Sequence, residues 1–274
     1  TKGKYNYKVL KYTLFFEDLP KEFEDYKITQ ISDIHSGSFD NKAKVEYAVD
    51  LINVQASDAI MFTGDLVNSR TSEMLPWKST FSKLKAKDGI FSILGNHDYG
   101  DYTRWPSKED KTKNFKDMLK LHKELGFQLL LDEAKFIKKK ESQLAIIGVE
   151  NWGKGFNQKG DLKKATSKVK PEDFKILLSH DPSHWEHEVI DDKLHYHLTL
   201  SGHTHGMQFG IEIPGFIKWS PIKWRYKYWA GLYQKAGQVL NVNRGFGYLA
   251  FPGRVGIWPE ITVIKLKKGK PHLG

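Results

Sequence analysis

An alternation of short apolar runs with helix-like stretches constrains this chain most. Apolar runs at 26–32, 59–63 and 90–94 are separated by stretches at 43–54 and 74–84 whose apolar residues recur at helical spacing. This β-α-β-α-β order predicts an α/β fold, with strands laid into a sheet and helices packed upon it. A further helix is expected over 115–125. Beyond Phe127 the chain becomes strand-rich, with runs at 128–131, 134–137, 144–149, 175–179 and 197–201. The tail from 237 to 266 reads as strands with glycine turns, and the alternation at 8–16 suits an edge strand. Without an internal repeat or low-complexity linker, a single domain over 1–274 is expected.

Composition narrows the chemistry. The chain has no Cys and 11 His. A disulfide framework, a thiolate zinc site, a Cys nucleophile and an iron–sulfur cluster are therefore excluded, and any metal must sit on His, Asp, Glu or Asn. Aromatic residues at 13% exclude a disordered chain. No run of about 18 apolar residues occurs, so the sequence as it stands carries no membrane span. It begins at Thr1, and an anchor or signal ahead of that residue is an expectation. The 43 Lys and Arg against 33 Asp and Glu give a net charge of +10. That excess suits a phosphate-bearing substrate, nucleic acid or anionic lipid, and equally a solvated lysine-rich surface.

Five short motifs stand out, four of them closing predicted strands: Asp33-Ile34-His35, Gly64-Asp65, Gly95-Asn96-His97-Asp98, Ser179-His180-Asp181 and Gly202-His203-Thr204-His205. In α/β sheets, loops from the carboxyl ends of several strands converge, and functional groups gather there. Singly, each motif has a plain reading: a helix cap, a turn, a hydrogen-bonded core histidine. The His-X-His pair is stronger, because on a strand both side chains face one side. Together, Asp33, His35, Asp65, Asn96, His180, His203 and His205 offer seven oxygen and nitrogen donors, which suits hard-to-borderline divalent ions. Seven exceeds the four usual for one nitrogen-ligated zinc, so two ions sharing a carboxylate are expected, an arrangement suited to phosphate ester hydrolysis.

In this order the motifs resemble the calcineurin-like metallophosphoesterases: Asp-X-His, Gly-Asp, Gly-Asn-His-Asp/Glu, a lone His, then Gly-His-X-His. The resemblance implies a four-layer αββα sandwich, two mixed β-sheets flanked by helices. It also implies two divalent ions, Mn, Fe, Zn or Co. Asp33, His35 and His205 would hold the first ion, Asp65 would bridge, and Asn96, His180 and His203 would hold the second. Asn96 would lie close to the substrate phosphate. His97 would act as general acid or stabilise developing charge, a role that suits a side chain titrating near neutrality. Asp98 either orients His97 or shapes a turn.

Departures narrow the branch. Asn68 stands where purple acid phosphatases place a Tyr ligand. The run 64–70 lacks the protein-phosphatase pattern, and His97 stands where the usual lipid A pathway pyrophosphatase has Arg. The C-terminal third looks closest to membrane-associated phosphodiesterases, through Gly202-His203-Thr204-His205-Gly206-Met207-Gln208, Ala230-Gly231-Leu232-Tyr233, Asn243-Arg244-Gly245-Phe246-Gly247 and Pro259-Glu260-Ile261-Thr262. Met207, Asn243 and Phe246 depart from that pattern conservatively. Members of that branch often carry an N-terminal membrane segment, and some relatives cleave the pyrophosphate of UDP-2,3-diacylglucosamine. An amphiphilic phosphate-ester substrate and a membrane surface are therefore expected partners, with no nucleic acid and a monomeric chain. A nuclease or nucleotide phosphodiesterase of the same superfamily is the alternative.

An aromatic and basic insertion over 214–233, with Trp219, Trp224 and Trp229 among lysines and Arg225, fits a lid or a membrane-facing element. Trp219 and Trp224 are substrate-binding candidates, against plain packing. Arg244 fits a phosphate clamp or a structural ion pair. His122, His184, His187, His195, His197 and His272 read as structural or surface residues.

Overall fold

The computed structural model describes residues 2–155, 158–213 and 216–270. His272 lies outside the described residues, as do Pro214 and Gly215 of the insertion. The first sheet contains β1 (Lys8–Phe16), β2 (Lys27–Ile31), β3 (Ala59–Phe62), β4 (Ile90–Ser92) and β5 (Phe127–Leu129). The second contains β6 (Glu133–Lys139), β7 (Ser142–Gly148), β8 (Phe174–Leu178) and β9 (Leu198–Ser201). A separate hairpin pairs β10 (Ile211–Ile213) with β11 (Ile217–Trp219). Next, β12 (Gly231–Lys235) and β13 (Gln238–Val242) complete the second sheet, and β14 (Glu260–Lys268) returns to the first. The strand orders are β1-β14-β2-β3-β4-β5 and β12-β13-β9-β8-β7-β6. Both sheets are mixed: β2, β3 and β4 run parallel while β14 opposes β2, and β7, β8 and β9 run parallel while β6 opposes β7.

The period of two along each strand builds the layers. On β3, Ala59 and Met61 face the second sheet, while Ile60 and Phe62 face α1 (Lys42–Asn53), α2 (Lys78–Phe81) and α3 (Lys108–Glu124). On β7, Leu144 and Ile146 face the first sheet, while Ala145 and Ile147 pack with α4 (Leu162–Ala165) and α5 (Ser183–His187). Helices, sheet, sheet and helices thus form the four-layer αββα sandwich. Its core lies between the sheets, and a second apolar layer lies under each set of helices. Near the motif loops that central core becomes polar: Gln30 Nε2 donates to Ser201 O at 2.8 Å, and Asn241 Nδ2 donates to Gln30 Oε1 at 2.7 Å. These bonds tie β2 to β9 and β13 directly beneath the ends that carry the motifs.

The local differences have local causes. The stretch at 74–84 is not one helix: a 3-10 segment, Thr71–Trp77, precedes the short α2. Pro76 has no backbone N–H to donate into a longer α-helix. Conversely, α3 starts seven residues before 115, because Ser107 Oγ caps it by accepting Asp110 N–H at 3.0 Å. Among the described residues, no helix is long and apolar enough to cross a membrane.

Candidate metal centre

All five motifs begin within three residues of a strand end, on the loops after β2, β3, β4, β8 and β9. Parallel strands within each sheet bring those loops to one rim, where the side chains form two buried clusters. Asp33, His35 and His205 make one, and Asp65, His180 and His203 make the other. Within each cluster the donor atoms all lie within 4.8 Å of one another. In the first, His35 Nε2 lies 3.0 Å from His205 Nε2, which lies 3.3 Å from Asp33 Oδ1. Asp65 Oδ2 stands between the clusters, 3.5 Å from His35 Nε2 and 3.2 Å from His180 Nε2. Asn96 Oδ1 joins the second cluster, 2.9 Å from His203 Nδ1 and 3.2 Å from His180 Nε2.

His203 and His205 do not lie on a strand with both rings on one side. β9 ends at Ser201, and both residues have left-handed backbones, φ 70° and 52°. That turn sends His203 to one cluster and His205 to the other. Asp33, His35 and Asp65 are also left-handed, at φ 52°, 46° and 59°. Such conformations cost energy in non-glycine residues and persist where the surroundings enforce them. Here the enforcement is visible. Asp33 N–H donates to Gly64 O at 2.9 Å, His203 N–H donates to Asp33 Oδ1 at 3.0 Å, and Gly247 N–H donates to Asp33 O at 2.8 Å. Two glycines permit the close approach: a Cβ on Gly95 would overlap the Asp65 carboxylate, and one on Gly202 would overlap the Asp33 carboxylate.

Two of the imidazoles, His180 and His203, are held by bonds to their outward nitrogens. His180 Nδ1 lies 2.7 Å from Thr63 O, so its N–H points there and Nε2 faces the cluster. His203 Nε2 lies 2.7 Å from Tyr226 Oη, which leaves Nδ1 facing inward. Orienting contacts of this kind fix ring and tautomer at metal sites. Burial holds His35 down at about 3 and His203 at about 4, so both rings are neutral lone-pair donors. Burial also works against ionised Asp65, yet His180 and His97 keep its carboxyl well below the usual range. Burial lowers His180 too, but the Asp65 carboxylate outweighs it and raises that ring to about 10, so His180 would release its proton on taking an ion. Neutral His35 and His203, ionised Asp65 and an amide oxygen, converging in two sets with one carboxylate between them, fit a pair of divalent ions.

His97 lies beside the clusters. Its Nδ1 is 2.7 Å from Asn68 O, and its ring stacks on Tyr102 at 4.3 Å and meets His35 edge-on at 5.0 Å. Asn68 O therefore orients His97, and Asp98 does something else. Asp98 Oδ2 accepts N–H bonds from Asp65 and Gly95, both at 2.9 Å, and Oδ1 accepts from Leu66 at 2.8 Å and Val67 at 3.3 Å. It welds the loop after β3 to the loop after β4. Burial pushes the Asp98 carboxyl up to about 7, Asp65 adds to that, and the N–H donors oppose it.

The remaining sequence candidates lie elsewhere. Arg244 is buried and turned toward Glu260 and Glu212. Asn243 Nδ2 donates to Thr262 Oγ1 at 2.9 Å in the same network, so the tail motifs form a polar buttress behind the Asp33 loop. Trp219 and Trp224 pack edge-to-face at 6.3 Å, with Trp224 exposed, while Trp229 is buried. His122, His184 and His197 are buried on Ser92, Ser179 and Asp18 respectively. Sequence reasoning missed Arg254, which is fully buried with Nη2 3.3 Å from His205 Nδ1 and 2.6 Å from Gly247 O. A lone Arg in a Pro-Gly-Arg-Val turn gave no signal of that placement.

Two packed mixed sheets with paired His/Asp clusters at one rim define a metal-dependent phosphohydrolase. Residues 26–207 match the calcineurin-like phosphoesterase family, and the chain belongs to it. That family uses a dinuclear divalent metal centre, for which the two clusters supply ligands. The chain is 29% identical to the uncharacterized metallophosphoesterase YkuE of Bacillus subtilis, over 91% of this chain and 82% of that protein. It is 28% identical to an uncharacterized metallophosphoesterase of Aquifex aeolicus, over 96% and 93%. A Danio rerio protein named transmembrane protein with metallophosphoesterase domain is 27% identical over 95% of this chain, which spans 57% of that relative. In fold, the chain is similar to the sulfate thiohydrolase SoxB of Thermus thermophilus, with TM-score 0.51, 11% identity, and coverage of 91% of this chain and 57% of that one.

Proposed function

We propose that this chain hydrolyses a phosphodiester or pyrophosphate bond in a membrane-associated lipid or nucleotide-lipid substrate, of which UDP-2,3-diacylglucosamine is an example. The observation that carries the hydrolytic part is the position of Asp65, within 3.5 Å of a ring nitrogen in each cluster. Asp33, His35 and His205 would hold one ion, Asn96, His180 and His203 would hold the other, and Asp65 would contribute to both. The ions, when bound, supply Lewis-acid stabilisation of phosphoryl charge and acidify an attacking water. The chain's own groups do the rest. Asn96, its amide N–H on Tyr102 Oη at 2.9 Å, would lie beside a phosphoryl group held at the clusters. His97, held through Nδ1, keeps its second nitrogen for proton delivery to the leaving oxygen.

The amphiphilic part rests on the aromatic and basic residues of the insertion, which meets the site through Tyr226. Trp219 and Trp224 remain proposed substrate contacts, whereas Arg244 would contact substrate only by releasing Glu260 and Glu212. The test is turnover of a generic phosphodiester with added Mn²⁺, followed by a panel of lipid, nucleotide-lipid and nucleic-acid substrates. Asp65→Ala is expected to abolish hydrolysis, and the lipid diesters are expected to lead the panel. Full activity in Asp65→Ala sinks the mechanism; preference for nucleic acid, with binding that weakens steeply in salt, favours a nuclease.

A further inference from the structure

The hairpin of β10 and β11 is inside out. Ile211 and Ile213 on one strand and Ile217 on the other stand about half exposed, at 53%, 49% and 48%. Their register pairs Ile213 with Ile217 and Ile211 with Trp219, so these side chains share one face. Between them Glu212 turns inward, while Lys218, itself exposed, folds its side chain back toward the insertion. Glu212 reaches the buried Arg244, and Lys218 bonds Ala230 O and lies over the Trp229 ring at 5.2 Å. A hairpin on a water-facing surface would present the opposite pattern.

The outward apolar face continues. Phe209 and Trp224 flank Trp219 at ring distances of 6.5 Å and 6.3 Å, and Phe216 at the hairpin turn is 87% exposed. Of the 13 large apolar side chains exposed among the described residues, nine lie between Met207 and Val255. Concentration of this kind marks an interaction surface.

Charge identifies the partner. Beside Trp224 opens a groove of about 760 Å³, lined by Lys154, Lys223, Arg225 and Lys227 with Glu186 as its one acid. A second copy docked about a twofold axis would bring like charges toward one another. A bilayer with anionic headgroups meets both features: apolar side chains enter the acyl boundary, Trp sits at the interface, and the cations meet the headgroups.

We propose that the β10–β11 hairpin, with Phe209 and Trp224, is a membrane-docking element that seats the metal centre against an anionic lipid surface. It rests on the reading of an amphiphilic substrate, because seating the site on a bilayer serves only a substrate held there. The hairpin is fastened to the ligand loop. Ser220 Oγ donates to Gly206 O at 2.8 Å, Thr204 Oγ1 donates to Trp229 O at 2.6 Å, and Tyr226 Oη meets His203. Docking therefore brings that loop, with His203 and His205 already set by the fold, to the lipid surface.

Co-flotation with liposomes tests this in the full chain. Wild type is expected to bind phosphatidylglycerol–phosphatidylcholine vesicles about tenfold more tightly than pure phosphatidylcholine vesicles, with a blue shift of Trp fluorescence. The double substitution Ile213→Glu, Ile217→Glu is expected to weaken vesicle binding at least about tenfold while leaving the unfolding midpoint unchanged, since both side chains are already half exposed. Equal vesicle binding by the two proteins overturns the proposal. So does a dimer in sedimentation velocity that the double substitution dissolves while vesicles bind neither protein. Vesicle binding without hydrolysis of any lipid diester leaves the docking element standing and removes the substrate reading.

Discussion

Substituting Asp98 by Asn tests whether that carboxylate, next to the proposed general acid, is a structural weld. Both of its oxygens accept two backbone N–H groups, one pair from Asp65 and Gly95 and the other from Leu66 and Val67. An amide has one accepting oxygen. Whichever way the substituted amide is turned, its NH₂ faces two buried N–H donors and leaves both unpaired. Each unmade buried bond costs about 1–3 kcal/mol, so the near-isosteric change, which leaves two, is expected to lose about 2–6 kcal/mol. Asp98→Ala frees all four donors and is expected to lose at least as much. The assay is urea unfolding of chelated protein at about pH 8, which keeps ion binding out of the balance and the carboxyl ionised. An Asn variant within about 0.5 kcal/mol of wild type refutes the weld and returns Asp98 to the role of an ordinary turn residue.

Three further outcomes follow from the same geometry. Arg244→Ala leaves Glu260 buried without its partner and is expected to cost about 3–5 kcal/mol; unchanged stability with a raised KM would make it a phosphate clamp. Tyr226→Phe removes the hydroxyl 2.7 Å from His203 Nε2 and is expected to weaken Mn²⁺ binding about tenfold in calorimetric titration, without moving the unfolding midpoint of the chelated protein. Burial lowers His122 from 6.5 to about 3, so the unfolded chain takes up a proton that the folded chain refuses between those values. The associated stability is complete above pH 6.5 and is lost as pH falls toward 3, on the order of 1–3 kcal/mol being gone by pH 4.5. His122→Gln is expected to flatten that acid slope, and an unchanged slope contradicts the assignment.

Much of this was legible in the sequence because period and position carry it. The alternation at 26–94 gives β2, β3 and β4 with their helices, and apolar runs ending in Asp, Asn or His place ligands at one rim. What sequence hides are features set by backbone angle and by distant contacts. The left-handed turns at His203 and His205, which divide the pair between two clusters, look the same as a strand when written as letters. Pro76 was visible, yet its consequence for the run at 74–84 depends on how the chain packs around it. Arg254 and Asp98 act on partners that only the fold brings near. The hairpin reads as alternating Ile-Glu-Ile, and which side faces out is decided by Arg244, far along the chain.

The central claim is a paired-metal centre bridged by Asp65, and the most direct measurement of it is metal content by elemental analysis. Wild type purified in Mn²⁺ is expected to hold about two ions per chain, and Asp65→Ala about one or fewer. One ion or none in wild type, with phosphodiester turnover that survives chelation, would contradict the account.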